Sequence, residues 1–212
     1  MVDDVINKLI YDADLPGYLF VNQYPVFGFI WNFILLMIPF GMAFWLKHYY
    51  RAHGLKNIGN KTIFFLIFFL WLIFVPNSAY IITDIRHLLG FCPNSLYRVC
   101  VSNAWMIMVF FSYSVMGWVA YVYLLRDMKI FLQEINPKIS VFFIPVIIPF
   151  ISLGVLIGLV NRWNSWEIFS QTQEIMIDLL NYFYRQEYFI NLVIYTFFFY
   201  LLYFAGDKIF KK

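Results

Sequence analysis

The residues best placed for chemistry lie in one stretch, FVPNSAYIITDIRHLLG. Asn77, Tyr80, Asp84 and His87 follow one another at spacings of three, four and three. On a helix those spacings gather them within a narrow arc of one face. Ile81, Ile82, Ile85, Leu88 and Leu89 fill a different arc, and Arg86 points away from the polar stripe. An acid and an imidazole one turn apart can share a proton, hold a metal or bind a head group. Asp84 and His87 are therefore candidate catalytic groups and the only, weak, candidates for a metal. The whole stripe is a candidate ligand-binding surface. The plainer reading is that Asn77 satisfies carbonyls freed by Pro76 and that Asp84 merely orients His87.

A second polar cluster, GLVNRWNSWEIF, holds Asn161, Arg162, Asn164, Ser165 and Glu167. A guanidinium such as Arg162 can bind a phosphate bidentately, or it can snorkel to lipid head groups. Asn164 is a further candidate ligand-binding residue, and Glu167 a further candidate base. Asn164 with Glu167 three residues on also reads as a capping box that starts the next helix. Trp163 and Trp166 suit an interfacial aromatic belt.

These clusters must be positioned by helices in a bilayer. Of 212 residues, 63% are hydrophobic, 23% aromatic and 13% charged, against roughly 25% charged in a soluble domain. Mean hydropathy is +0.73. That excludes a disordered chain, a disulfide scaffold and almost any ordinary soluble enzyme. A membrane span needs about 20 apolar residues, and five stretches qualify: 26–46, 62–82, 101–125, 139–160 and 188–205. Pro76 lacks an N–H and kinks or restarts the second span, beginning a short helix closed by Gly90. The segment 161–187 carries Glu174, Asp178 and Arg185, each costing roughly 2.5–3.5 kcal/mol at a helix centre. Ile175, Met176, Leu179, Leu180 and Phe183 fall on one face, and Gln171, Glu174, Asp178, Asn181 and Arg185 mostly on the other. That pattern predicts a helix lying in the interface plane. The expected fold is all-α: a polytopic membrane protein of five spans and one interfacial amphipathic helix. Residues 1–25 form an extracytoplasmic segment, 26–206 one membrane domain and 207–212 a basic tail.

Several other residues read as structural. Gly154 and Gly158 make a G-x-x-x-G close-packing signal. Asn103, Ser112 and Ser114 read as interhelical hydrogen-bond partners. His48 and His53 belong to a basic loop whose default partner is anionic lipid. Cys92 and Cys100 share one loop, where a disulfide can form in an oxidising compartment. No nucleotide-binding glycine loop, HExxH or CxxC occurs, and no cofactor or nucleic-acid partner is expected.

The two motifs together resemble a known family. PNSAYIITDIRHL followed by NRWNSWE is similar to the bacterial integral-membrane family catalogued as domain of unknown function 1361. The matching positions are Pro76, Asn77, Tyr80, Thr83, Asp84 and His87, then Arg162, Asn164, Ser165, Trp166 and Glu167. The acid after the tryptophan is often aspartate in that family, and a glycine several residues before the arginine corresponds to Gly158. The resemblance implies a bacterial plasma membrane and supplies no activity. Three classes of function stay open: binding or transport of a small polar or head-group ligand, a structural or assembly subunit, and an outer-leaflet lipid-modifying enzyme.

The basic residues give sidedness. Loops 47–61 and 126–138 and the tail hold ten of the fifteen Lys and Arg residues. The opposite side holds five, with nine of the twelve acids. The positive-inside rule then places the N-terminus outside and the C-terminus in the cytoplasm. The first span acts as its own uncleaved signal, since the start is acidic. Cysteines introduced at Lys56 and Gln173 are expected to react with impermeant reagents from opposite sides of intact cells. Labelling of both from one side would refute the topology.

Overall fold

The computed structural model describes residues 20–21, 24–86 and 104–210. Five of its helices are long and apolar enough to cross a membrane: 27–53, 58–86, 104–135, 137–161 and 186–210. We label the elements α1 (Val26–His53), α2 (Ile58–Phe74), α3 (Pro76–Thr83), α4 (Ala104–Ile135), α5 (Pro137–Leu156), α6 (Thr172–Tyr184) and α7 (Gln186–Phe210). A two-residue antiparallel pair, β1 (Phe20–Val21) with β2 (Tyr24–Pro25), precedes α1. His87, Asn103, Cys92 and Cys100 lie outside the described residues, as does Gly90, so the expected disulfide and the end of the stripe do too.

The helices run further than the apolar stretches. Sequence reading placed loops at 47–61 and 126–138. Instead α1 continues to His53 and α2 begins at Ile58, while only Asn136 separates α4 from α5. Hydropathy marks where a helix meets lipid, not where its hydrogen bonding stops. At about 1.5 Å per residue the 32 residues of α4 exceed a hydrocarbon core of about 30 Å. Its final turns are held by burial instead, with Leu125, Met128, Phe131 and Leu132 in the core. Polar groups fasten the same end. Lys47 pairs with Asp127 at 2.6 Å, and Arg126 donates to the Phe210 carbonyl at 2.5 Å. Ser140 donates across the α4–α5 turn to the Lys129 carbonyl. We call this the basic end and its opposite the site end.

Four prolines, Pro39, Pro76, Pro145 and Pro149, interrupt hydrogen-bond ladders where lipid offers no replacement donor. Pro149 cannot bond back to the Pro145 carbonyl, and the Tyr200 hydroxyl of α7 donates to that carbonyl at 2.8 Å. Pro76 sits between α2 and α3. The Ser78 N–H turns to the Val75 carbonyl rather than to Phe74, and the Asn77 amide donates to the Phe74 carbonyl at 3.0 Å. The expected structural task of Asn77 is therefore met. Pro39 lies within α1.

Glycines let α5 close on this break. A Cβ at Gly154 would stand 2.6 Å from Cγ of Pro76, and one at Gly158 would stand 3.2 Å from the Tyr80 ring. The G-x-x-x-G pair thus seats α3 directly, one residue against the proline and one against the tyrosine. Gly154→Ala should destabilise the protein by about 1–3 kcal/mol through overpacking against a rigid ring. Gly41→Ala, where a Cβ meets nothing within 4 Å, should be neutral or slightly stabilising. Thermal unfolding of the two variants in the same detergent checks the contrast. Equal unfolding temperatures would refute the seating.

Candidate functional site

The site end is assembled by three elements that the chain order keeps apart. After α3 the chain continues as a 3-10 turn through Arg86. After α5 comes a π-helical turn, Ile157–Asn161, and then a 3-10 turn, Ser165–Phe169. The N-terminal half of α1 supplies the third element.

Asp84 is 1% exposed, and its Oδ2 accepts from Nδ2 of Asn32 on α1 at 2.9 Å. Arg86 and Arg162 are both close enough to act on that carboxylate electrostatically. Asn77 spends its second amide hydrogen on Oγ of Ser165 at 3.1 Å, which joins the two sequence motifs directly. Ser114 donates to the Ile82 carbonyl and Thr83 to the Tyr80 carbonyl. Ser114 therefore links α4 to α3 as expected of an interhelical partner. Ser112 is exposed, and its neighbour Tyr113 makes the link instead, to the Phe29 carbonyl of α1.

Arg86 does not point away from the stripe. Its Nη2 donates to the Tyr80 hydroxyl at 2.9 Å, and the guanidinium lies 5.6 Å from the centre of the Tyr80 ring. The reason is the 3-10 winding of 84–86, which turns residue 86 away from the position an unbroken α-helix would give it.

Arg162 stands at the end of the π turn with φ 64 and ψ 24, the one non-glycine residue with positive φ among those described. Its side chain is exposed, and so is Asn164. The left-handed conformation is uncommon for a long side chain and costs roughly 1–2 kcal/mol. The Asn164/Glu167 capping box forms, but on the 3-10 turn at Ser165 rather than on α6. Glu167 is buried, and its carboxylate accepts from the Asn164 N–H. That carboxylate therefore serves the local cap.

The tryptophans are also committed. Trp163 Nε1 donates to Asp178 of α6 at 2.6 Å, and Trp166 packs edge-on against Trp31 of α1. The Tyr182 hydroxyl donates to Asn161 at 3.1 Å. Burial first, then Tyr188, Asp178 and Tyr195, pushes the Tyr182 phenol well above its ordinary value. It therefore stays a neutral donor. Asp178 is thus no solvated polar face: α6 turns Ile175, Leu179 and Tyr182 inward and leaves Met176, Ile177, Leu180, Phe183 and Tyr184 exposed. The polar arc keeps Glu174 and Arg185 exposed, and within it the Trp163 indole reaches Asp178 from the side.

The structure thus brings together Asn77, Tyr80, Asp84, Arg162, Asn164 and Glu167, and adds Asn32 and Arg86. Asn32 was readable as the lone amide in the apolar stretch from Val26 to Leu46, since such groups turn toward protein. Among the described residues no group of three His, Cys, Asp or Glu side chains is placed to hold a metal.

Residues 31–203 match the model of a family described as "Protein of unknown function (DUF1361)". No curated protein and no solved structure matches the chain.

Asn32→Leu should destabilise the protein by about 1–3 kcal/mol by withdrawing a donor from a buried carboxylate. Asp84→Asn in the Asn32→Leu background should cost less than the sum of the two single changes. Unfolding midpoints for the cycle check this. Strict additivity would show that the pair does not interact.

Proposed function

The chain belongs to that family of unknown function, and from this premise we propose that it is a membrane-embedded binding module for a small polar ligand or a lipid head group. The ligand would sit at the site end, between Asp84, Tyr80 and Arg162, with Asn77 and Asn164 at the rim and His87 following on the same chain segment. By the charge asymmetry of the loops, that end faces outward from a bacterial plasma membrane.

The observation that carries this reading is the conformation of Arg162. An exposed guanidinium is held with positive φ on the turn beside a buried carboxylate. Backbone strain of this kind persists where the surroundings enforce it, and it clusters at ligand clamps and active sites. Glycine would relieve it at no cost to packing.

A structural or assembly role is the second reading, and Asn77 and Glu167 favour it. Both spend their polar groups on a freed carbonyl, a neighbouring serine or a cap. An enzyme acting on a head group would use Asp84 as base, His87 as acid or metal ligand and Arg162 as phosphate clamp. It is the weakest of the three, since no complete catalytic motif occurs in the sequence.

Purified protein should retain a bound small molecule or lipid that mass spectrometry detects in near-stoichiometric amount. Arg162→Ala should lose it while unfolding at the wild-type temperature, and Asp84→Asn should lose it with no more change in stability than the Asn32 cycle measures for that variant. Arg162→Gly should lose it and gain about 1 kcal/mol of stability. Retention of the molecule by all three variants would refute the reading. Lowered stability of Arg162→Ala with nothing bound in the wild type would favour the structural role.

A further inference from the structure

Arg86 narrows the chemistry of that ligand. Its guanidinium has five N–H donors in a rigid plane. One donates to the Tyr80 hydroxyl at 2.9 Å, and Nη1 reaches the Leu159 carbonyl only at 3.5 Å. Nε is buried and has no acceptor among the described residues. Tyr80 cannot retreat, because Gly158 of the π turn backs its ring. Tyr195 of α7 is close enough to feel the same charge. A buried donor without an acceptor is costly, and the edge of a bilayer supplies little water to relieve it. The arrangement suits an acceptor from outside the described residues, and a bound ligand can supply one.

Arg162 belongs to the same corner. Arg86 touches the carbonyl of Leu159, three residues before Arg162, and both arginines act on Asp84. Each nearby acid accepts from another donor: Asp84 Oδ2 from Asn32, Glu167 from the Asn164 N–H, and Asp178 from the Trp163 indole. Two planar forks, one half-buried and one exposed, match the several oxygens of a phosphate.

The source of that phosphate follows from α6. At 13 residues α6 is too short to cross a bilayer, since about 20 are needed. One apolar stripe packs inward, yet Met176, Ile177, Leu180, Phe183 and Tyr184 remain exposed. A helix apolar beyond its packed face lies in the membrane interface. Two hydrogen bonds, Trp163 to Asp178 and Tyr182 to Asn161, tie it to the residues on either side of Arg162. Lipid therefore reaches the edge of the site.

We propose that Arg86 and Arg162 form a two-guanidinium receptor for the phosphate of an anionic membrane lipid, which enters from the bilayer beside α6. This rests on the binding-module reading and specifies its ligand.

The test uses the full chain in a neutral detergent, titrated with dioleoyl phosphatidic acid, dioleoylglycerol or inorganic phosphate. Native mass spectrometry and the fluorescence of Trp163 and Trp166 report binding. Phosphatidic acid should bind saturably, and the other two should not bind at the same concentrations. Arg162→Ala should weaken binding by about 10–100-fold. Arg86→Lys keeps the charge but loses the fork and Nε, and should weaken it similarly. Should Arg86 variants fail to fold, Arg162→Ala alone decides, because its side chain is exposed. Equal binding of dioleoylglycerol would overturn the phosphate assignment. Equal binding of inorganic phosphate would overturn the lipid source. If none binds but purified wild type still carries another polar molecule, this proposal falls and the binding module stands. If the wild type carries nothing at all, both fall.

Discussion

The structure depends on one constraint: inside a bilayer, a carbonyl that loses its helical donor must be given another by the protein. Pro76 and Pro149 each strip such a carbonyl. Asn77 repairs the ladder at the first break, and Tyr200 repairs it at the second from a neighbouring helix. The repairs differ in kind. The one at Pro149 binds α7 to α5 and does nothing else visible. The one at Pro76 uses a two-donor amide, and the second donor reaches Ser165. A local defect in α2–α3 is thereby converted into a link between two distant segments.

That link explains why polar side chains gather at one end. With α3 fixed against Gly154 and Gly158, its last turn faces the π turn of α5 rather than lipid. Asp84 then meets α1 through Asn32, and Arg86 folds over Tyr80. None of these groups is stable facing hydrocarbon, so each turns to another. The result is a corner where α1, α3 and the turns after α5 are joined by several separate polar links.

Much of this was legible in the sequence. The five spans and the break at Pro76 follow from apolar length and proline chemistry, and the small-residue pair on α5 follows from its spacing. The juxtaposition of the two motifs could be argued from energetics alone. Other features were hidden for specific reasons. Helix ends beyond the lipid are set by packing of residues such as Met128 and Phe131, which hydropathy does not see. The direction of Arg86 depends on a switch from α to 3-10 winding over three residues, and ideal helical geometry misplaces it. Asp178 looked solvated because its partner, Trp163, lies in a different element. The positive φ of Arg162 leaves no trace in composition, for the residue there is not glycine.

The ion pairs at the basic end carry a consequence for how the folded chain meets lipid. On the positive-inside reading of the sequence, Lys47 and Arg126 would count fully toward the bias that orients a nascent chain, since acids weigh little in that decision. Once folded, Lys47 is matched by Asp127 at 2.6 Å, while Arg126 stands 3.9 Å from Asp207 and Arg51 3.7 Å from Glu134. The charge read during insertion is therefore larger than the charge displayed afterwards. Lys56, Lys61, Lys138 and Lys208 stay exposed at that end without an acid partner among the described residues, and Arg51 stays largely exposed beside Glu134. The same side chains thus act twice, first as an address and then as fasteners, and the second role hides the first.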